Sequence, residues 1–268
     1  MVTPNSQVSR SVQPRVKASS LAKQLRRVCL DTPPQPVRVL FTTAGMSVWT
    51  HDLAKTMHIF VTDAPLEEYK VKEPCVILVN PKEFADLLST KFRDSQIQIQ
   101  TKANQPIMVF DKQSNQAQYY PADEDDCAMV PDRWQMPDSA TQPGWKTIPQ
   151  MGGETCTMRA EVSRSELVKA VVDMQVANAP YCEFHFTKPT TATSGHWGAK
   201  TNRSQSRLNC KVEPTGVSQK VGLTETLSRV LSIASGDDFV IHKHEKTPFV
   251  IIDCGDMTAV VAETKKEA

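Results

Sequence analysis

Histidine, acidic and glycine-rich stretches are the parts of this sequence whose residue types could support chemistry. His242 and His244 alternate along a strand-like stretch, so their side chains share one face, as two metal ligands would. No third ligand follows at a convincing spacing, and the pattern favours a solvated strand face. Asp123 to Asp126 is a run of four acids that could hold Mg²⁺, but such a run in a linker is usually solvated.

Other signatures of catalysis are weak. The segment from Gly195 to Thr201 contains glycine and lysine, but its spacing differs from that of a phosphate-binding loop and no apolar helix follows it. We find no nucleophile with a plausible base. The seven cysteines are scattered without a Cys-x-x-Cys pair, which predicts reduced structural thiols. The sequence therefore predicts a non-enzymatic protein without a metal or cofactor.

Composition limits the possible partners. The 268 residues include 31 basic and 30 acidic side chains, so no overall charge draws the protein to nucleic acid, and any attraction depends on where the charges lie. No apolar run is long enough to span a bilayer, and the first thirty residues do not resemble a signal peptide. We expect an intracellular protein that makes no membrane contact.

Cations recur on the predicted helices. With Leu21 and Leu25 on the buried face of the first helix, Lys23, Arg26 and Arg27 lie opposite. The same reasoning turns one cation outward on each of three further helices: Lys82, Lys169 and Arg229. A solvated polar face explains this equally well, and Asp86 and Glu225 share these faces. The alternative is a surface that faces a phosphate backbone.

These helices belong to an internal repeat. Residues 79–111 and 221–253 both run helix, strand, turn, proline, strand, and helices at 20–29 and 166–174 precede them, at an offset of roughly 145 positions. The repeat predicts an α+β protein of two similar domains, each with β-sheets and two helices on one face. We place the boundaries as follows: tail 1–16, domain 17–120, linker 121–154, domain 155–264, tail 265–268. Residues 69–79 are a strand candidate, and 188–207 a long exposed loop or hairpin.

The arrangement resembles the sliding clamps of the proliferating cell nuclear antigen type, over about Lys17 to Ala262. The resemblance is carried by the order of several short stretches: 44–52, Glu68-Tyr69, Val79-Asn80, 247–251 and 260–262. It implies the DNA clamp fold and a homotrimeric ring around duplex DNA. The ring would tether a DNA polymerase and other replication and repair proteins after a clamp loader had placed it on DNA. The pore-facing, DNA-binding residues would be Lys23, Arg26, Arg27, Lys82, Lys169 and Arg229.

The resemblance also implies an apolar pocket for partner peptides. By position its residues are His51, Thr56, Met129, Val130, Trp134, Pro248, Val260 and Ala262. The chain departs from the family pattern at two points, since His51 replaces an apolar residue and Glu263 stands where proline is common. Simple packing of a long loop is the alternative role for Trp134 and Trp145.

Two rival functions remain open. The first is a viral-type processivity factor that binds DNA as a monomer or open dimer, and unpaired sheet edges distinguish it from a ring. The second is a β-rich scaffold without a DNA role. A clamp would act in the nucleus or at a viral replication site, or in the cytoplasm of a cell without a nucleus.

Overall fold

The computed structural model describes residues 14–31, 33–102, 105–128, 138–148, 151, 153–195, 204–214 and 219–263. The chain divides into two compact units. The first comprises Met1–Thr50 and Phe60–Met129, and the second comprises His51–Ile59 and Val130–Ala268. The predicted tails lie largely outside the described residues, as do Met129, Val130 and Trp134 of the predicted pocket.

Short strands and two helices make up residues 15–119, and a 3₁₀ turn follows in the predicted linker. The elements are β1 (Arg15–Lys17), α1 (Ala18–Arg27), β2 (Val37–Phe41), β3 (Met46–His51), β4 (Met57–Ala64), β5 (Cys75–Val79), α2 (Pro81–Leu87), a π-helical turn (Leu88–Phe92), β6 (Gln96–Gln100), β7 (Ile107–Asp111), β8 (Gln116–Tyr119) and a 3₁₀ turn (Glu124–Asp126). The end of β3 and the start of β4 belong to the second unit.

The rest of the chain repeats this plan after two short strands that begin within the predicted linker. Its elements are β9 (Thr147–Ile148), β10 (Glu154–Thr155), β11 (Met158–Ser163), α3 (Arg164–Val176), β12 (Tyr181–Phe186), β13 (Thr191–Gly195), β14 (Ser204–Arg207), β15 (Cys210–Glu213), β16 (Gln219–Leu223), α4 (Thr226–Ile233), β17 (Asp238–Lys243), β18 (Phe249–Cys254) and β19 (Met257–Ala262).

Strand order shows the duplication. The order β1-β6-β7-β8 is repeated as β11-β17-β18-β19, and the order β5-β2-β3-β4 is repeated as β16-β12-β13-β14. The first helix of each repeat makes the same backbone hydrogen bond to the residue before an equivalent strand. Ala18 N–H donates to Ser95 O before β6 (3.0 Å), and Arg164 N–H donates to Asp237 O before β17 (2.7 Å). The fold is therefore α+β with two similar halves, as the sequence predicted, and β15 is an addition to the second.

Local sequence explains where these elements begin. Asn80 precedes Pro81, and its side-chain oxygen accepts hydrogen bonds from Lys82 N and Glu83 N (3.1 and 3.2 Å), which satisfies two free N–H groups of α2. Ser163 caps α3 in the same way, accepting from Glu166 N (3.4 Å). The helices then bury their apolar stripes, which include Leu21, Leu25, Phe84, Leu167, Val171, Leu227 and Val230.

One expectation needs correction. Only Cys75–Val79 of the strand candidate 69–79 is a strand, because Pro74, which directly precedes it, has no N–H, and Lys70 forms only an isolated bridge with Arg15. For segment 188–207 the sequence allows a loop or a hairpin, and the hairpin is confirmed, because β13 and β14 pair antiparallel. Ala192 and Ser194 alternate along β13 and are both buried. The sequence did not indicate this burial, because the segment is rich in threonine.

Candidate functional site

Three of the four predicted DNA-binding cations of the first unit lie on α1. Its apolar face is buried, and Lys23 and Arg26 are exposed on the opposite side. Arg26 Nη2 reaches α2, where it donates to Asp86 Oδ1 (3.2 Å) and Ser89 Oγ (2.8 Å). Arg27 is partly buried and its guanidinium donates to Gln24. The charge of Arg26 is thus partly neutralised, whereas Lys23 forms no ion pair with the described residues.

The second helix of this unit adds one cation to the same packed pair of helices. Lys82 is exposed in the first turn of α2, and its ammonium group has no ion pair within the described ranges. α2 packs against α1, so the structure brings Lys23, Arg26 and Lys82 onto one pair of neighbouring helices. The acids Glu83 and Asp86 on α2 limit the positive charge of this surface.

The predicted cations of the second unit are both engaged by their surroundings. Lys169 is exposed on α3, and its ammonium donates to Arg207 O on the adjacent strand β14 (3.4 Å). Arg229 on α4 lies 3.9 Å from Glu225, one helical turn earlier. The pair with Glu225 is weak, yet it reduces the charge that a phosphate would meet, whereas a hydrogen bond to a carbonyl leaves the charge of Lys169 in place.

Three predicted pocket residues converge in the second unit. Ala262 N–H donates to Thr56 O (2.8 Å), and the next residue, Glu263, donates from its N–H to Pro248 O (2.7 Å). Val260 is buried and pairs with Ile251 in the sheet, so it supports this surface from below. Pro248 is exposed, and Thr56 and Ala262 are half-buried.

The loop after β3 adds features that sequence reasoning missed. Asp52 is buried, and its carboxylate accepts hydrogen bonds from Thr56 N (2.7 Å), Thr56 Oγ1 (2.5 Å) and Met57 N (2.9 Å). This rigid turn holds Leu53 outward, with 61% of its surface exposed. A lone leucine between Asp52 and Lys55 was the available signal, since an exposed apolar side chain on a fixed loop suits a protein contact.

His51 lies beside a second histidine. Its ring centre is 5.5 Å from that of His58, which is buried in β4. Burial, together with the neighbouring His51, lowers the pKa of His58 to about 4. His51, which stands where the resemblance implies an apolar residue, therefore lies against an uncharged, buried imidazole.

We predict that His58 makes stability depend on pH. Its folded pKa of about 4 lies below the ordinary 6.5, so the unfolded chain binds more protons between these values. The contribution of His58 is complete above pH 6.5 and is lost as pH falls towards 4, by about 2–3 kcal/mol. Urea unfolding of His58→Gln beside the wild type, near pH 7.5 and near pH 4.5, checks this. Equal losses in both proteins would contradict it.

A buried ion pair explains the departure at Glu263. Lys243 Nζ lies 3.0 Å from Glu263 Oε2, and only 4% and 8% of the two side chains are exposed. The ammonium also donates to the carbonyl of Thr247 and to that of Phe249 (3.4 Å). A proline at this position would leave the lysine charge buried without its acid, so Glu263 is the partner that Lys243 needs.

The expectation that His242 and His244 lie on a solvated face is wrong. Both are buried, with 1% and 4% exposed, because the segment before β11 covers this face of the sheet. His242 Nε2 lies 3.2 Å from Asp253 Oδ2, and His244 Nε2 lies 3.2 Å from Glu154 Oε2. No group of three or more potential metal ligands occurs among the described residues.

Lys146 fastens the second half of the predicted linker to the second unit. Its ammonium lies 3.0 Å from Asp138 Oδ1 and 3.5 Å from Asp253 Oδ2. Burial opposes ionisation of Asp253, but the His242 hydrogen bond and the Lys146 charge hold the pKa of Asp253 below its usual value. Ser139 closes the turn by accepting from Thr141 N and Gln142 N (3.3 and 3.1 Å).

Arg164 joins the two helices of the second unit. From the start of α3, its guanidinium donates to the carbonyls of Leu231 (2.7 Å), Ala234 (2.9 Å) and Gly236 (2.7 Å) at the end of α4. These carbonyls have no helical partner of their own, and the negative end of the helix dipole favours a cation. Arg164 is therefore a structural residue and is not available to DNA.

The cysteines are free thiols, as predicted. Five of the seven are buried, and burial raises the pKa of Cys75 to about 11 and that of Cys156 to about 12, so these thiols are protonated near neutral pH.

In the described part of the chain no helix is long and apolar enough to cross a membrane.

Comparison with solved structures bears on the duplicated fold. Proliferating cellular nuclear antigen from Entamoeba histolytica matches with a TM-score of 0.65 and 10% identity, over 95% of this chain and 99% of that chain. The A. fulgidus PCNA structure with the C-terminal region of FEN-1 matches with a TM-score of 0.65 and 13% identity, over 96% of this chain and 100% of that chain. The fold is that of the DNA sliding clamps.

A bacterial clamp structure supports the same fold. A putative DNA polymerase III beta subunit from Eubacterium rectale matches with a TM-score of 0.66 and 12% identity, over 96% of this chain and 66% of that longer chain. No protein-family model and no curated protein matches the sequence. The clamp fold is thus clear in three dimensions, while identities of 10–13% leave the residue roles to the chain itself.

Proposed function

We propose that this protein is a non-enzymatic DNA sliding clamp, which closes into a homotrimeric ring around duplex DNA and tethers a polymerase. The observation that carries the proposal is a pair of sheet edges. Among the described residues β8 pairs only with β7, and β14 only with β13. Open edges are a liability unless another chain covers them.

The duplication indicates what covers these edges. β19 and β4 are neighbours in the strand order, and Ala262 N–H donates to Thr56 O beside them. β19 is the duplicate of β8, and β4 is the duplicate of β14. Pairing of β8 in one copy with β14 in the next would repeat between subunits the pairing that the chain already makes. Because β8 and β14 are different patches, this contact is head-to-tail, and such a contact generates a ring when the rotation closes.

The cationic helices fit the same function. Exposed Lys23, Arg26 and Lys82 can attract phosphates without reading bases, so the contact would be salt-sensitive and independent of sequence. A clamp must slide, and weak backbone contacts permit sliding. The predicted site residues on α3 and α4, Lys169 and Arg229, would contribute less because Glu166 and Asp173 share α3 with Lys169 and Glu225 lies beside Arg229.

Partner proteins would bind where Thr56, Pro248 and Ala262 converge. Leu53 extends this surface with an exposed apolar side chain on a rigid turn. An apolar anchor on a partner peptide is the chemistry that such a surface accepts. The partners would be a DNA polymerase, other replication and repair proteins and a clamp loader, in the compartment where DNA is replicated.

Mass in solution tests the ring. At micromolar concentration we expect light scattering to report three times the 29.8 kDa of the chain. A double substitution of exposed edge residues, Gln118→Pro with Gln205→Pro, should shift the mass to that of one chain, because proline removes an N–H from each edge. A wild-type mass of one or two chains would instead favour the open processivity factor.

A further inference from the structure

We infer that DNA contact by this clamp is unequal between its two units, with α1 carrying the phosphate contacts and α3 presenting an apolar surface to the duplex. The inference rests on the proposed function. α1 and α3 are duplicates. α1 follows β1, which pairs with β6, and precedes β2, and α3 follows β11, which pairs with β17, and precedes β12. If the exposed face of α1 meets DNA, the exposed face of α3 meets it as well.

The two helices differ in charge. α1 carries Lys23, Arg26 and Arg27 and contains no acidic residue. In α3 the cations Arg164 and Lys169 are balanced by Glu166 and Asp173. Arg164 is bound to the end of α4, and Lys169 donates to Arg207 O. A phosphate therefore meets a net positive helix in the first unit and a neutral one in the second.

Exposed valines lie on α3, and with Ala18 and Arg164 as equivalent positions Val172 stands where α1 has Arg26, whereas Lys23 corresponds to Lys169. Val168, Val172 and Val176 are spaced by four residues, so they form one stripe along the helix. They are 41%, 46% and 81% exposed, whereas Leu167, Val171 and Met174 on the opposite side are buried. Apolar side chains neutralise no phosphate and release no counterion. This stripe therefore exerts no electrostatic attraction on the duplex.

The consequence is a clamp that neutralises fewer phosphates than its four helices would allow. The salt dependence of DNA binding measures this number, because the slope of log K against log salt changes by about 0.9 for each phosphate neutralised. Removing the α1 cations should therefore reduce the slope, and adding lysines to the valine stripe should increase it.

The test is binding of the full-length protein to a fluorescein-labelled duplex of arbitrary sequence, by anisotropy across roughly 50–200 mM salt. Two variants that remove charge are compared, Lys23→Gln with Arg27→Gln on α1, and Lys169→Gln with Arg229→Gln in the second unit. One variant that adds charge, Val172→Lys with Val176→Lys, is compared with its neutral match, Val172→Gln with Val176→Gln. Thermal unfolding of each variant confirms that it is folded.

We expect the α1 pair to weaken binding several-fold and to reduce the slope by about 0.9 for each phosphate that is no longer neutralised, while the second-unit pair changes the slope little. The lysine pair should raise the slope by a similar amount for each additional phosphate neutralised, and the glutamine pair should not. Equal weakening by the two charge-removing pairs, or an unchanged slope with the lysines, would overturn the inference and leave the clamp function standing. Absence of salt-dependent binding by the wild type would also overturn the inference, because no phosphate would then be neutralised, whereas the clamp function is contradicted separately by a mass of one or two chains in solution.

Discussion

Glu263→Ala is expected to lower the free energy of unfolding by about 3–5 kcal/mol, although the residue lies at the end of the described chain. The substitution leaves the Lys243 ammonium buried without its acid, while its hydrogen bonds to the carbonyls of Thr247 and Phe249 remain. A buried charge without its counter-ion is among the largest single penalties that a fold can carry. Urea unfolding near neutral pH measures the loss.

Matched variants separate charge from packing. Glu263→Gln keeps the shape and an acceptor and should lose less than Glu263→Ala. The double variant Lys243→Met with Glu263→Leu removes both charges and should recover most of the stability, because replacing a buried pair by apolar side chains is often neutral. The double-mutant cycle then gives the coupling energy. If Glu263→Ala changed stability by less than about 0.5 kcal/mol, as an ordinary surface substitution does, the buried pair would not be important.

Arg164→Ala is expected to lower the free energy of unfolding by about 3 kcal/mol. It removes charge-assisted hydrogen bonds to Leu231, Ala234 and Gly236, and leaves those carbonyls at the end of α4 without their donor. It also removes the cation above the ring of Phe239, 5.4 Å from the ring centre. Thermal and urea unfolding should both show the loss.

The control for Arg164 is a surface arginine. Arg38 pairs with Glu124 at 3.2 Å, and about half of its side chain is exposed, so Arg38→Ala should cost at most about 1 kcal/mol. Arg164→Lys should recover only part of the loss, since an ammonium group cannot reach several carbonyls as the planar guanidinium does. Similar effects of Arg164→Ala and Arg38→Ala would show that the cap of α4 is dispensable.

Sequence periodicity was sufficient for the repeat, because helical stripes such as Leu227, Val230 and Leu231 and the alternation of Ile97 and Ile99 record which face is buried. The same reasoning failed for His242 and His244. Alternation shows that two residues share a face, but not what covers that face. Here Asp253 and the distant residues Glu154 and Lys146 do so, and such contacts leave no local signal.

The candidate site was predictable only in part. Helical wheels turned Lys23 and Lys82 outward correctly, but the wheel could not show that Arg26 reaches Asp86 or that Lys169 reaches Arg207 O, because these contacts join separate elements. Leu53 was missed because its exposure depends on the carboxylate of Asp52 holding the turn. Burial of polar groups and contacts between elements are thus what the structure adds.

Retention on DNA of different topology tests the central claim most directly. The protein is loaded onto nicked circular duplex DNA with its clamp loader, washed at high salt to remove electrostatic contacts, and then measured on the DNA before and after a restriction enzyme linearises the circle. A ring predicts protein that survives the wash on circles and slides off the ends when they are cut. Equal retention on circular and linear DNA, or none on either at high salt, would contradict encirclement.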